Sequence, residues 1–147
     1  KVMIRSAVHT IMLLAVLCSL ASFNTTLPVD YSADLRIEYQ ATGTIEGYSK
    51  ITKLKVYIDG LFVGESEPKD QREKNSLSVK VPQGVHRIQC YAYALLDGKW
   101  ELRDMKNEYS FDWIYDAYRT FPAKSKLVLD FSVTDKKTSQ VSFGKMK

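Results

Sequence analysis

The chain contains few of the residues from which metal and catalytic sites are usually built. It has two cysteines and two histidines in 147 residues, and Cys18 and His9 lie in an N-terminal segment that resembles a targeting signal. Only Cys90 would remain after its removal, so the mature protein could form no internal disulfide. Cys90 alternates with apolar residues, which predicts a buried thiol. His86 has no second ligand at a suitable spacing and follows a turn, so we expect it to stabilise that turn.

The sequence also lacks the motifs of phosphate binding and of hydrolysis by a nucleophilic serine. It contains no glycine-rich phosphate loop and no Gly-x-Ser-x-Gly elbow. Glu108, Asp112 and Asp116 recur at four-residue spacing, but the clustered Asp, Asn and Gly of a calcium loop are missing there. We therefore predict no enzyme activity, no cofactor and no metal site. A catalytic site assembled from residues far apart in the sequence is the alternative left open.

Positive charge is too sparse for a nucleic-acid-binding protein. Of the 21 basic residues, Lys1 and Arg5 belong to the N-terminal segment, which leaves 19 against 17 acidic ones. Recognition of nucleic acid normally needs a concentrated basic face, and no run of Lys and Arg supplies one. We expect no nucleic-acid partner.

The N-terminal segment has the pattern of a secretory signal peptide. A basic start is followed by an apolar run at 11–20, which is short for a membrane span, and small residues precede a cleavage point after Ala21. We predict a signal-peptide helix over 1–21 and export to the periplasm or surface of a bacterial cell, since small exported domains without disulfides are typical there. The alternatives are lipidation at Cys18 and an uncleaved membrane anchor over 7–23.

Alternating apolar and polar residues predict strands through most of the remaining chain. We expect a linker at 22–32, a domain at 33–134 and a flexible tail at 135–147, in which Val141 and Phe143 offer an alternative edge pairing. A charged loop at 65–75 is expected to lie in solvent. The chain reversals are predicted at Asp59-Gly60, Pro82-Gln83-Gly84 and Asp97-Gly98. The expected strands are 33–42, 51–59, 61–64, 76–81, 85–95, 99–103, 107–114 and 126–134. Seven or eight short strands indicate an all-β fold, an antiparallel β-sandwich.

The strand that begins at 85 shows the pattern most clearly. Its even-numbered positions are expected in the core, where small residues would let the facing sheet approach closely, while Tyr91 and Tyr93 would cover the outer face. The core positions are Ile88, Cys90, Ala92 and Ala94.

Residues 107–121 are ambiguous between strand and helix. We favour a strand to about Ile114 and an irregular crossover after it. This stretch and its approach are rich in aromatic residues, which either fill the core or form a binding surface with nearby polar groups. The candidate ligand-binding residues are Trp100, Tyr109, Asp112, Trp113 and Tyr115. Trp113 is expected at the surface because its neighbours are polar.

Residues 56–94 resemble the PEGA module, a small immunoglobulin-like β-sandwich of microbial envelope proteins. That family has a Val-Tyr-x-Asp-Gly-x-x-x-Gly hairpin and a Pro-x-Gly-x-His turn. The matching residues here are Val56, Tyr57, Asp59, Gly60, Gly64, Pro82, Gly84 and His86. The family's Thr-Pro step is replaced by the insertion at 65–75. The resemblance implies an accessory or interaction role and no catalytic residues.

These features predict an exported, non-enzymatic module of a bacterial envelope that binds another protein. The alternative is a carbohydrate-binding module with an aromatic surface around Trp100 and Trp113, its partner then an envelope polysaccharide. Membrane contact is expected only through the N-terminal segment. Coplanar, open aromatic rings would favour the sugar, whereas a long unpaired edge strand would favour the protein partner.

Overall fold

The fold is mostly β and consists of two sheets. The computed structural model describes residues 29–43, 50–134 and 140–146, so the expected signal segment at 1–21 lies outside the described residues. In chain order the strands are β1 Ala33–Thr42, β2 Ile51–Ile58, β3 Leu61–Glu65, β4 Lys69–Asp70, β5 Asn75–Val81, β6 Gly84–Leu96, β7 Lys99–Leu102, β8 Ile114–Phe121, β9 Lys124–Ser132 and β10 Gln140–Lys145. Within the described ranges, no helix has the length and apolar character needed to cross a membrane.

Strand β6 organises the larger sheet. Along one edge it pairs with β2, and along the other it pairs first with β8 and then with β7. Strands β3 and β4 pair with the far edge of β2. The smaller sheet has the order β10-β9-β1-β5. Facing side chains from both sheets belong to one hydrophobic cluster, in which Leu54, Ile88 and Leu127 are fully buried.

The two expected Asp-Gly turns and the burial pattern of β6 are confirmed, whereas Pro82-Gln83-Gly84 joins β5 to β6 of the other sheet and makes no hairpin. Asp59 and Gly60 have φ of 49° and 83°, and Asp97 and Gly98 have φ of 48° and 79°, the left-handed conformations that two-residue hairpins require. Gly and Asp tolerate these values best, which is why the sequence marks both turns. The four core positions of β6 are each 0% exposed, and its tyrosines lie on the other face.

The strand count and directions differ from the prediction. The described residues form ten strands instead of seven or eight, and β1 runs parallel to β9, with Ile37 opposite Leu127. Alternation along a strand specifies which face is buried, and it carries no information on the direction of the neighbouring strand. In the expected tail, β10 pairs with β9 and Phe143 contacts Phe121 at 5.6 Å between ring centroids, as the alternative proposed.

The prediction of a strand at 107–114 is wrong. A 3-10 turn at Met105–Asn107 is followed by irregular backbone, and β8 begins where the strand was expected to end. The Asp104 side chain accepts a hydrogen bond from the Asn107 backbone N–H at 3.1 Å, and Glu108 has φ of 66°. These local hydrogen bonds and the left-handed residue replace strand pairing.

The charged loop at 65–75 is not wholly in solvent. It contains β4, and Ser66 and Asn75 are each only 3% exposed. The Tyr39 hydroxyl lies 2.7 Å from Ser66 Oγ and accepts a hydrogen bond from Asn75 Nδ2 at 2.9 Å. These polar side chains can enter the interior because they satisfy one another there.

The outer face of the smaller sheet is charged. Glu38 of its central strand β1 is 7% exposed and lies 2.9 Å from the ammonium nitrogens of Lys74 and of Lys126, with Arg36 at 3.1 Å. Hydrogen bonds from Lys74 and then from Lys126 lower the pKa of Glu38 to about 2. The carboxylate is therefore ionised throughout the physiological range.

Candidate functional site on the outer face of the six-stranded sheet

Four of the five predicted ligand-binding residues lie in or beside the interior. Trp113 is 2% exposed and Tyr115 is 6% exposed, so the expectation that Trp113 lies at the surface is wrong. The Trp113 ring stacks between Phe111 and Phe131 at centroid distances of 5.1 and 5.7 Å, and its Nε1–H donates to the Ser132 carbonyl at 2.9 Å. Asp112 accepts a hydrogen bond from a backbone N–H of the 3-10 turn at 2.8 Å. These contacts hold the irregular segment on the core.

A buried arginine that the sequence analysis missed packs against the same aromatic group. The guanidinium carbon of Arg103 lies 4.4 Å from the Trp113 ring centroid, 4.6 Å from that of Tyr109 and 5.1 Å from that of Phe111. Its Nη1 donates to Gln71 Oε1 at 3.2 Å. Burial lowers the pKa of Arg103, and contact with ring faces offsets part of the cost of desolvating the cation. Tyr109 is thereby a structural residue as well.

Trp100 lies on another surface, the outer face of the six-stranded sheet. Because residues alternate along β2 and β6, those next to the core residues point outward and meet in cross-strand pairs, such as Lys55 with Tyr91 and Lys53 with Tyr93. We call this surface the aromatic face. Its aromatic residues are Tyr57, Phe62, Tyr91, Tyr93, Trp100 and Tyr118.

The rings of the aromatic face meet edge to face. Tyr57 lies 5.6 Å from Phe62 with an interplanar angle of 66°, and 5.6 Å from Tyr91 with an angle of 80°. Phe62 and Tyr118 are 56% and 67% exposed, so both rings are accessible to a partner. The three contacting rings therefore present edges and faces in turn and do not form one flat platform.

Cations cover part of this surface. Lys53 Nζ lies 4.6 Å from the Trp100 ring centroid, and Lys55 Nζ lies 4.9 Å from that of Tyr93. Lys53 also forms an ion pair with Glu65 at 3.1 Å. A lysine over an aromatic ring covers the sheet with its aliphatic stem while the ring face attracts its charge.

A bidentate ion pair joins β6 to β8 on the aromatic face. Arg87 Nε and Nη2 donate to the two carboxylate oxygens of Asp116 at 2.8 and 2.6 Å. Gln89 Nε2 donates to the same carboxylate at 3.2 Å and to the Tyr91 hydroxyl at 2.8 Å. Hydrogen bonds from Arg87 lower the pKa of Asp116, and burial raises the pKa of Tyr91. The face thus combines neutral phenols with a fixed, bidentate charge pair.

The two residues most capable of nucleophilic or proton-transfer chemistry, Cys90 and His86, have structural positions in the core and at a turn. Cys90 is fully buried, and burial raises the pKa of its thiol. His86 Nδ1 lies 2.6 Å from Asp59 Oδ2, and its Nε2 lies 3.1 Å from the Gln83 carbonyl oxygen, which confirms its turn-stabilising position. Although burial favours the neutral acid, hydrogen bonds from His86 and the Arg87 backbone N–H lower the pKa of Asp59. In the part of the chain that is described, no three His, Cys, Asp or Glu side chains are grouped to hold a metal.

Comparison with known proteins identifies no relative in sequence. No protein-family model matches the chain, and no curated protein does, so the PEGA resemblance stays a prediction. Among solved structures, the chain is similar to a Gram-negative toxin at 12% identity, to listeriolysin O at 13%, and to a disulfide-locked mutant of intermedilysin solved with human CD59 at 10%.

These structural similarities are weak. They cover 76%, 78% and 77% of this chain with TM-scores of 0.28, 0.29 and 0.29. The chain spans 22%, 23% and 24% of the length of those proteins. TM-scores this low support no inference about fold or activity.

Proposed function

We propose that this chain is an exported, non-enzymatic β-sandwich module that binds a protein partner through the aromatic face. The observation that carries the proposal is the concentration of six aromatic side chains on the outer side of one sheet, away from the hydrophobic core. Tyr, Trp and Arg are the residues most enriched among those that dominate binding energy at protein interfaces. The aromatic face contains all three.

The ring geometry favours a protein over a polysaccharide. Sugar rings stack best on open, coplanar aromatic planes, whereas Tyr57 meets both its aromatic neighbours edge to face. Of the two tryptophans on which the carbohydrate alternative depended, Trp113 is buried and Trp100 has Lys53 over its ring. A protein surface, by contrast, can place side chains between rings at mixed angles.

The other parts of the proposal rest on separate observations. One hydrophobic cluster shared by two sheets supports the sandwich architecture. Cys90 is buried and both ring nitrogens of His86 are in hydrogen-bonding contact at a turn, which supports a role without covalent catalysis. Export rests on the sequence of residues 1–21, and the envelope location on the expectation that a mature chain with Cys90 as its one cysteine forms no internal disulfide.

Site-directed photocrosslinking in the native cell tests the partner class. A photoreactive phenylalanine analogue replaces Tyr118, on the aromatic face, or Met105, which is outside the face and 51% exposed. We expect one discrete protein adduct from position 118, none of the same mass from position 105, and loss of the adduct when Phe62→Ser is added. Identical adducts from both positions would contradict the proposal.

Affinity electrophoresis through polysaccharides and peptidoglycan tests the alternative. Retardation that disappears in a folded Trp100→Ala variant would make the aromatic face a sugar-binding surface and would overturn the protein-partner assignment. The Met105→Ser variant is the matched control, because it also removes a large exposed side chain.

A further inference from the structure

The outer face of the four-stranded sheet carries basic side chains that come from separate parts of the sequence. Because buried and outward residues alternate, neighbouring strands bring outward residues side by side, such as Arg36 of β1 beside Lys126 of β9. Lys74, which precedes β5, reaches the same face through its ion pair with Glu38. We call this surface the basic patch. Its basic residues are Arg36, Lys74, Lys80, Lys124 and Lys126, and its acidic residues are Asp34, Glu38 and Asp130.

Glu38 gathers three of these cations at one point. Lys126 Nζ and Arg36 Nε lie 2.9 and 3.1 Å from the same carboxylate oxygen, and Lys74 Nζ lies 2.9 Å from the other oxygen. The carboxylate is nearly covered, whereas the side chains of Lys74, Arg36 and Lys126 remain 60%, 51% and 40% exposed. One buried negative charge thus holds three exposed positive charges close together, and the cluster as a whole stays positive.

Short side chains surround the cations, so a flat charged surface could approach them. Ser76 and Ser78 of β5 and Ser142 and Gly144 of β10 occupy outward positions of the same sheet. A Cβ added at Gly144 would have no atom within 4 Å. Among the described residues, none at the outward positions of these four strands is aromatic. Recognition by this face therefore depends on charge, in contrast to the aromatic face.

The basic patch extends in two dimensions. It is about 10 Å wide across β5, β1 and β9, and about 13 Å long along β1 from Asp34 to Glu38. A stripe of cations would fit a single extended polyanion, whereas a patch of similar length and width fits a planar array of phosphate groups. The headgroups of a lipid bilayer form such an array.

We infer that the basic patch docks on a membrane surface that contains anionic phospholipids. Its five basic residues exceed its three acidic ones, and each basic residue near such a surface raises the affinity roughly fivefold. Because charge alone attracts the lipid, the contact is peripheral and salt weakens it. The aromatic face belongs to the other sheet and stays open, so the inference does not rest on the proposed protein partner. It is also separate from the membrane contact expected of the N-terminal segment, since only described residues take part.

Cosedimentation of the full chain with lipid vesicles tests the inference. The measured quantity is the ratio of binding to an equal mixture of phosphatidylcholine and phosphatidylglycerol over binding to phosphatidylcholine alone. We expect the double variant Lys80→Gln with Lys124→Gln to lower this ratio about 30-fold. The matched control, Lys99→Gln with Lys106→Gln, removes the same charge from exposed positions outside the patch and should change the ratio by about twofold or less. Asp34→Asn removes a negative charge from the patch and should raise the ratio about fivefold.

Acetylation by a lysine-reactive ester gives a second reading that does not depend on residues 1–21. Anionic vesicles should slow the modification of Lys80 and Lys124 and leave that of Lys99 unchanged. Phosphatidylcholine vesicles should protect none of the three.

Two results would overturn the inference. Unprotected Lys80 and Lys124, or equal effects of the two double variants on the binding ratio, would show that the basic patch does not face the membrane. Soluble polyphosphate that protects both lysines as well as anionic vesicles do, at the same phosphate concentration, would make the patch a site for an extended polyanion instead.

Discussion

Replacing Trp113 by alanine should remove one of the largest contributions to the hydrophobic core. The ring is 2% exposed and stacked between two phenylalanines, and its Nε1–H is bonded to a backbone carbonyl. Truncating a buried tryptophan costs about 3 to 5 kcal/mol of unfolding free energy, because the cavity and the lost transfer energy add. Domains of this size are stable by about 5 to 15 kcal/mol, so the variant should be marginal.

Two matched variants separate the causes of this loss. Trp113→Phe keeps most of the ring stacking but removes the hydrogen-bond donor, so we expect a cost of about 1 to 2 kcal/mol. Trp100→Ala loses a partly exposed ring and one lysine contact, so we expect a cost of about 1 kcal/mol or less. The expected order of stability is therefore Trp100→Ala, Trp113→Phe and Trp113→Ala, from highest to lowest.

Urea unfolding followed by circular dichroism measures these differences, and fluorescence gives an independent reading. The chain has two tryptophans, so Trp100→Phe leaves Trp113 as the only indole. Its emission should be blue-shifted and resistant to quenching by acrylamide. A cost below about 1 kcal/mol for Trp113→Ala, or ready quenching of Trp113, would refute its placement in the core.

Two further predictions concern charge and close packing. The pKa of Glu38 is lowered to about 2 in the folded protein. Its contribution to the free energy of unfolding is therefore fully present above the unfolded pKa near 4.5 and is lost as the pH falls toward 2. When the free energy of unfolding is measured as a function of pH, the wild type should lose about 1 to 2 kcal/mol more over that window than the Glu38→Gln variant. Parallel curves for the two proteins would contradict this prediction. Gly64→Ala should destabilise by about 1 to 3 kcal/mol in urea unfolding, because the added Cβ would lie 2.8 Å from Val79 Cγ1. Gly144→Ala is the control, with no atom within 4 Å of the added Cβ, and equal costs would rule out the close approach.

The outer face of the larger sheet could be predicted in part from the sequence. Alternation in β6 correctly assigned Tyr91 and Tyr93 to the outer side, since neighbouring side chains of a strand point to opposite faces. Alternation within one strand could not predict which other residues join these tyrosines on the aromatic face. Phe62 and Trp100 join it only through the pairing of β3 with β2 and of β7 with β6. No local pattern specifies which strands will be neighbours.

The irregular segment before β8 shows the opposite case, in which local polarity misled the prediction. The carboxylate beside Trp113 suggested a surface position, yet that carboxylate bonds to a backbone N–H while the indole enters the core. The buried Arg103 was equally unpredictable, because a charged side chain is normally expected in solvent. Its burial depends on three rings and a glutamine side chain that the fold brings together.

The sequence alone determined the strand character of most of this protein, its two Asp-Gly hairpins and the buried side of β6. These properties depend on residues one to four positions apart, through side-chain alternation and the backbone preferences of Gly and Asp. The tertiary structure decided the parallel pairing of β1 with β9, the burial of Trp113 and Arg103, and the assembly of the aromatic face. Those properties depend on contacts between residues distant in the chain, for which alternation provides no register and no partner.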